Sequence, residues 1–435
     1  MEYRLDLCDD WMEKDFKQLP INTILTCRGP RFTPDLLQRM LDSPSLIDLD
    51  LAQWEKHQDA VPAERLILSV HLDEFDEDSI RSFLNHPQAA KFYKLILKTE
   101  RFADIIRTKT LIEAAKRDII FNVQGRWALL QRSLCDIFES LGCYGAYDDS
   151  VVTDQPLFGD ILRIWLLNNQ DVEYALAIIG SERVNKSLTV QCYNYAYENI
   201  KKNYVMLPIP ANDLAEAFEV LTFLKGYFKL AGLVITNPFK KQIATFLKCR
   251  QSIINTVQFS ETKHLYNVYN PDLDTYVYTK NTDVVALRNA LQKLDIKPTQ
   301  RILIYGSGAC AEAFARELKL RDYQRIFIMG RNEETVKQLK DRFQLLDPDG
   351  EPFDLLINTT PLGSDAEDDI SHIPKFNQLI DLNYPYNDQP LLTKLANEQN
   401  LPLIDGIEFW QMQFDAQLHC LVYSEAENSD LLDRA

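Results

Sequence analysis

The chain lacks an apolar run long enough to cross a membrane, since none reaches about 18 residues. Its acidic N-terminus carries no apolar signal region, so no secretory leader is expected. C-x-x-C pairs are missing, and the eight cysteines follow no regular spacing. Free buried thiols in a reduced, cytoplasmic protein are the expectation. The six histidines show no H-E-x-x-H or related spacing, which leaves a metal site without support. Positive charge is also short: 47 Lys and Arg face 64 Asp and Glu, a net charge of −17. That argues against nucleic acid and anionic membranes as general partners. Anionic small molecules stay open, because they need only local cations. Internal repeats and low-complexity stretches are absent as well. Against these absences stands an apolar fraction of 46%, ample for sizeable cores, in 435 residues. At roughly 150 residues per domain, about three domains are expected.

The richest stretch is Arg301 to Arg331. An apolar strand, Ile302 to Tyr305, enters Gly306-Ser307-Gly308-Ala309-Cys310-Ala311, then a helical segment, then a second apolar strand from Ile326 to Met329. Gly306 permits the tight turn. Gly308 lets backbone approach a pyrophosphate at the helix N-terminus, and Ala311 keeps helix and strand close. The second strand ends on Gly330-Arg331, where a carboxylate would select an unphosphorylated ribose. Arg331 instead favours a 2′-phosphate, so NADP is the expected cofactor. A structural glycine turn in another α/β domain is the alternative.

The first 170 residues alternate short strands with helical stretches. Strands are read at Tyr3–Leu7, Thr23–Cys27, Leu46–Leu51, Leu66–Val70, Tyr93–Leu97, Ile119–Val123 and Cys143–Tyr147, with helices such as Phe102–Lys116 and Trp127–Ser140 between them. Repeated units of this kind point to a parallel sheet or a (β/α) barrel, and seven strands fall one short of a closed barrel. Asn168-Asn169-Gln170-Asp171 reads as a linker. The expected fold class is therefore α/β. An N-terminal (β/α) barrel, possibly incomplete, spans 1–170. A substrate-binding domain spans 174–297 and is completed by 405–435, and a Rossmann domain spans 298–404.

Polar clusters close the strands of the middle module: Ser187-Leu188-Thr189, Thr236-Asn237-Pro238-Phe239-Lys240, Asn255-Thr256 and Asn281-Thr282-Asp283. Asn358-Thr359-Thr360-Pro361-Leu362-Gly363, Asp381 to Leu392, and Gly406 to Gln413 follow in order. In register and spacing these seven motifs resemble the shikimate dehydrogenases. Reducing a ketone needs a hydride and a proton, and Lys240 with Asp283 is a suitable acid/base pair. The resemblance implies that Ser187, Thr189, Thr236, Asn255, Asp283 and Gln413 hold the substrate, with Tyr384 as a further candidate. It also places Gly306, Gly308, Ala311, Arg331, Thr360 and Gly406 on the nucleotide. Two departures stand out. The usual G-A-G-G-A loop reads Gly306-Ser307-Gly308-Ala309-Cys310, and a further basic residue expected after Arg331 is Thr335.

Residues 1–170 in turn resemble type I 3-dehydroquinate dehydratases, (β/α)₈ barrels that work through a Schiff-base lysine. Glu2-Tyr3-Arg4-Leu5-Asp6, Thr26-Cys27-Arg28, Ile47 to Leu51, Ser69-Val70-His71 and Tyr93-Lys94-Leu95 carry the likeness. It implies Lys94 as nucleophile, His71 as proton carrier, and Arg4, Arg28, Arg132 and Gln155 on the substrate. The family's E-G-G after the arginine is absent, and its first barrel strand has no counterpart before Glu2. The two resemblances together imply a bifunctional enzyme acting on 3-dehydroquinate, 3-dehydroshikimate and shikimate with NADPH. A dehydrogenase with an inactive barrel, using NADP or NAD, and a quinate-repressor-like sensor are the alternatives.

Overall fold

The computed structural model describes residues 1–7, 15–20, 22–57, 60–147, 155–168, 172–200, 203–249, 251–260, 268–270, 275–385 and 388–422, with 166–168, 197–200, 268–269 and 422 described in main chain only. The chain divides into two compact units: Met1–Ala175 with Glu182–Lys229, and Leu176–Ser181 with Leu230–Ala435.

In the first unit, strands and helices alternate: β1 Glu2–Arg4, β2 Ile24–Thr26, α1 Pro34–Leu41, β3 Leu46–Asp50, α2 Leu51–Lys56, β4 Leu66–Leu72, α3 Glu77–Leu84, β5 Phe92–Lys98, α4 Phe102–Ala115 and β6 Ile119–Gln124. Helices α5 Ala128–Ser133, α6 Phe158–Asn168 and α7 Leu188–Ile200, strand β8 Tyr204–Pro210 and helix α8 Leu214–Leu224 complete it. The six strands β1 to β6 pair in consecutive order and all in parallel. Their buried positions are mostly Leu, Ile, Val and Phe, with the polar Thr26, Asp48, Ser69, Lys94 and Asn122 buried among them. Among the described residues the sheet is open, a half-barrel with β1 and β6 as its edges. The expected seventh strand is corrected by the structure: Cys143–Tyr147 contributes only an isolated bridge, Ala146 to Leu157. The expected long helix Trp127–Ser140 is likewise cut to α5. Three of the four residues read as the linker, 169–171, lie outside the described residues, and Asn168 closes α6.

The second unit holds two sheets. Strands β7 Tyr174–Gly180, β9 Lys229–Ile235, β10 Thr256–Ser260, β11 Val268–Asn270 and β12 Thr275–Lys280 lie in the order β11-β12-β10-β9-β7. Strand β10 runs antiparallel to both β9 and β12. Helix α9 Lys240–Phe246 leaves β9, and α10 Thr282–Lys293 leaves β12. The other sheet is parallel throughout, in the order β14-β13-β15-β16-β17, with β13 Arg301–Tyr305, β14 Arg325–Met329, β15 Leu355–Asn358, β16 Leu379–Asp381 and β17 Leu403–Ile404. Helices α11 Ala309–Leu320, α12 Glu333–Phe343 and α13 Leu391–Glu398 connect these strands, and α14 Gly406–Val422 follows. One face of this sheet packs Ile302, Ile304, Ile326 and Ile357 with Phe314 and Leu318 of α11. The other packs Leu303, Phe327 and Leu356 with Leu392 and Ala396 of α13. This is the doubly wound arrangement, and it sets the glycine-rich turn at the C-terminal edge of its sheet.

Candidate active site

In the second unit, two strand ends and two helix starts converge on one carboxylate. The turn Thr236 to Phe239 is closed by Phe239 N donating to Thr236 O at 2.9 Å, and it delivers Lys240 as the first residue of α9. Asn281 caps α10 by accepting from Asp283 N at 3.1 Å, which holds Asp283 in the first helical turn. Asp283 and Lys240 are both buried. Lys240 Nζ donates to Asp283 Oδ2. The other oxygen, Oδ1, accepts from Asn255 Nδ2 at 3.0 Å and from Gln413 Nε2 of α14 at 2.5 Å. Asn255 is held in turn, its Oδ1 accepting from Thr282 N at 2.8 Å. Burial pulls the Lys240 ammonium down, but the Asp283 carboxylate and the Cys310 sulfur together outweigh it, so the net displacement is upward. Lys240 is therefore a buried ammonium held on Asp283.

Of the residues expected here, the structure brings together Lys240, Asp283, Asn255 and Gln413. Thr236 lies in the same turn, its N–H donating to Ile179 O at 2.9 Å. Tyr384 is half-buried after β16. Ser187 and Thr189 belong to the first unit at the start of α7, where Ser187 Oγ accepts from Thr189 N at 3.2 Å. Reading by motif passed over Cys310, whose sulfur lies 3.6 Å from Lys240 Nζ and 3.7 Å from Asp283 Oδ2. The signal was in the loop, where cysteine replaces the usual alanine.

The glycine-rich turn has features that a dinucleotide requires. Gly306 has φ of +127°, and a Cβ there would lie 2.2 Å from Thr359 Oγ1. Gly308 caps α11 without a side-chain hydrogen bond, and a Cβ on it would meet nothing within 4 Å. The chain at the start of α11 is thus open beside Gly308, as an anion site demands. Ala311 is fully buried behind them. Arg331 is exposed after β14 and makes no ion pair among the described residues, while Asn332 caps α12 by accepting from Thr335 N at 3.0 Å. Thr360 Oγ1 donates to Asn358 Oδ1 at 2.8 Å. At Gly406 a Cβ would stand 2.0 Å from Asn383 O, so only glycine starts α14 there. The residues present fit a phosphorylated nicotinamide nucleotide.

In the first unit, Lys94 on β5 lies beside Ser69 of β4 in register. Lys94 Nζ donates to Asp48 Oδ2 at 2.8 Å and to Glu2 Oε1 at 3.2 Å, with the Tyr144 ring 4.1 Å away. Arg28 donates to the opposite oxygen of Asp48 at 2.7 Å and to Ser69 Oγ at 2.8 Å. Burial alone would raise Asp48; Lys94 and Arg28 outweigh it and hold the carboxyl well below its usual range. Lys94 is displaced upward, because Asp48 and Glu2 outweigh its burial. His71 keeps an exposed edge, yet burial of its inner side, then Arg28 and Lys94, hold it down to about 4. It is neutral at physiological pH. Arg4 pairs with Asp6 at 2.7 Å. Arg132 departs from its expected substrate role: its guanidinium is buried and donates to the carbonyls of Val123 at 2.9 Å and Tyr144 at 2.5 Å. Gln155 is half-buried and makes no hydrogen bond among the described residues. Asp48, Glu2 and Tyr144, not foreseen as site residues, complete the cluster instead.

The buried lysine–carboxylate pair beside a dinucleotide turn defines an oxidoreductase-type site. No family model matches the chain. Among curated proteins it is similar to the NADP⁺-dependent shikimate dehydrogenase of Clostridium beijerinckii, 25% identical over 282 residues, which cover 58% of this chain and 97% of that protein. The NADP⁺-dependent shikimate dehydrogenase of Methanococcus maripaludis is 26% identical over 53% of this chain and 85% of its own length. Among solved structures, the dehydroquinate dehydratase and shikimate dehydrogenase from S. pombe aligns with 92% of this chain and 83% of that one, at a TM-score of 0.44 and 15% identity.

Proposed function

We propose that the second unit reduces 3-dehydroshikimate to shikimate with NADPH, using Lys240 as proton donor. One observation carries this reading: Lys240, Asn255 and Gln413 converge on the single buried carboxylate of Asp283, in the same unit as the glycine-rich turn. Similarity to an NADP⁺-dependent shikimate dehydrogenase over 97% of that enzyme's length supports the substrate and the cofactor. Gly306, Gly308 and the start of α11 would hold the pyrophosphate, and Arg331 the 2′-phosphate. When bound, the nicotinamide would supply a hydride to the ketone carbon. Lys240 donates the proton that the ketone oxygen takes up. Asp283 keeps the ammonium in place, and the lysine regains its proton from solvent after the step. Asn255 and Gln413 orient the carboxylate and leave donors for substrate hydroxyls. Thr236 and Tyr384 are proposed substrate contacts, and Thr360 and Gly406 nucleotide contacts. The proposed domains are 1–170, 174–297 completed by 405–435, and 298–404; the packing of α14 on α10 and β10 supports the completion. The test is NADPH oxidation dependent on 3-dehydroshikimate, with NAD(H) as the weaker alternative cofactor.

For the first unit, the pairing of β4 with β5, which sets Lys94 close to His71, supports dehydration of 3-dehydroquinate through a Lys94 imine. Arg28 and Arg4 would then hold its carboxylate and hydroxyls. A second reading, a catalytically silent half-barrel, is favoured by one observation. Lys94 is held as an ammonium on two carboxylates, and imine formation needs the free amine.

A further inference from the structure

Every motif-derived role at the acid/base pair leaves one neighbour unused. Cys310 is the second residue of α11, directly after the turn expected to hold the nucleotide. Its sulfur sits 3.6 Å from Lys240 Nζ and 3.7 Å from Asp283 Oδ2, within reach of both partners of the pair. We propose that Cys310 is a positioning residue for Lys240, giving the ammonium a second anchor and tying the acid/base pair to the first turn of the nucleotide helix. The inference rests on the reductase reading for its catalytic meaning, though the contact itself does not.

A lysine ammonium has three donors, and a single carboxylate oxygen fixes only one of them. The side chain has four rotatable bonds, so one anchor leaves the head free to swing about Asp283 Oδ2. The sulfur, beside Asp283 Oδ2, takes a second donor and restricts that swing, and its thiol donates to the same carboxylate oxygen. Burial pushes the Cys310 thiol up to about 11, so it is a neutral partner and not a competing anion. The other groups around Lys240 cannot substitute. Asn255 and Gln413 are uncharged and occupy the far oxygen of Asp283. On α9, Lys241 is engaged by Glu312 of α11. An alanine at 310, as in the usual loop, would leave Lys240 with Asp283 alone.

The experiment is competitive labelling of the unliganded full chain with acetic anhydride across a pH series, with Lys240 followed by mass spectrometry. In Cys310→Ala the Lys240 profile should move down by about half a pH unit, which makes labelling below its midpoint about threefold faster. Cys310→Ser should return to the parent profile, because a hydroxyl still accepts from the ammonium. Cys310→Val, which keeps the volume without the sulfur, should follow alanine and separates a packing effect from the anchor. Circular dichroism confirms the fold of each variant. Superimposable Lys240 profiles for parent and Cys310→Val would overturn the proposal. Absence of NADPH turnover would instead overturn the reductase reading and leave the labelling contrast standing.

Discussion

At the residue scale, the account turns on which groups are charged and what keeps them so. On the proposed reading, Lys240 donates its proton only while Asp283 holds it. Lys240→Ala should lower kcat by about 10²- to 10⁴-fold with 3-dehydroshikimate and NADPH, with a smaller change in nucleotide KM. Asp283→Asn should lose comparably, since the ammonium would then be buried without a counter-charge. A second residue prediction concerns Asp381, fully buried at the end of β16 and pushed up to about 6 by burial. Its folded pKa lies above the unfolded value of about 3.9, so its stability contribution is fully present below that value and is lost as pH rises through about 6. The second unit should therefore lose up to about 3 kcal/mol between pH ~4 and pH ~7.5 on this account. In Asp381→Asn one amide oxygen can still accept from Asn358 and Asn383 N, and the amide can donate to Thr393 Oγ1. Urea unfolding of that variant should show the pH slope removed; an unchanged slope would show that Asp381 is not its source. Lys240 and Asp283 were legible because each opens a helix after a strand, and Asn255 and Gln413 because each belongs to an ordered motif in register with them. Cys310 was not, because a thiol beside an ammonium leaves no periodic or spacing signature.

At the element scale, the second unit depends on turns that only glycine permits. Gly306→Ala places a methyl against Thr359 Oγ1 at a left-handed φ, and Gly406→Ala places one against Asn383 O. Each should destabilise by about 1–3 kcal/mol in denaturant unfolding. Gly306→Ala should also weaken nucleotide binding, whereas Gly308→Ala, with open space around it, should weaken binding with little loss of stability. Equal effects at 306 and 308 on stability would contradict this division. Strand positions were readable from apolar runs, because buried parallel strands are nearly continuous in Leu, Ile and Val. The seventh N-terminal strand was misread because Cys143–Tyr147 has the composition of a strand without a neighbour for its ladder. The segment Trp127–Ser140 has helical periodicity, yet Arg132 and Gln131 turn inward to backbone groups and the helix ends at Ser133.

At the scale of the whole molecule, two α/β units carry two polar clusters of unlike character. In the second, one carboxylate gathers the lysine and two amides; in the first, Asp48 lies between Lys94 and Arg28. Depressed Asp48 and raised Lys94 both favour the folded first unit over a broad range. The Asp48 contribution is lost as pH falls below about 4, and the Lys94 contribution only as pH rises above about 10. Borohydride added with 3-dehydroquinate should trap an adduct on Lys94 if the amine can be freed by substrate, and no adduct at neutral or alkaline pH would establish the silent half-barrel. An open sheet of six strands was partly visible in a sequence that offered fewer strands than a closed ring needs. The grouping of Glu182–Lys229 with the N-terminal residues was not visible, because it depends on packing between segments distant in sequence. The most direct test of the central claim is the rate of NADPH oxidation by the full chain with 3-dehydroshikimate, measured beside Lys240→Ala. The account predicts turnover that forms shikimate in the parent and falls by at least about 10²-fold in the variant. Equal turnover in the two proteins, or none in the parent while nucleotide still binds, would contradict it.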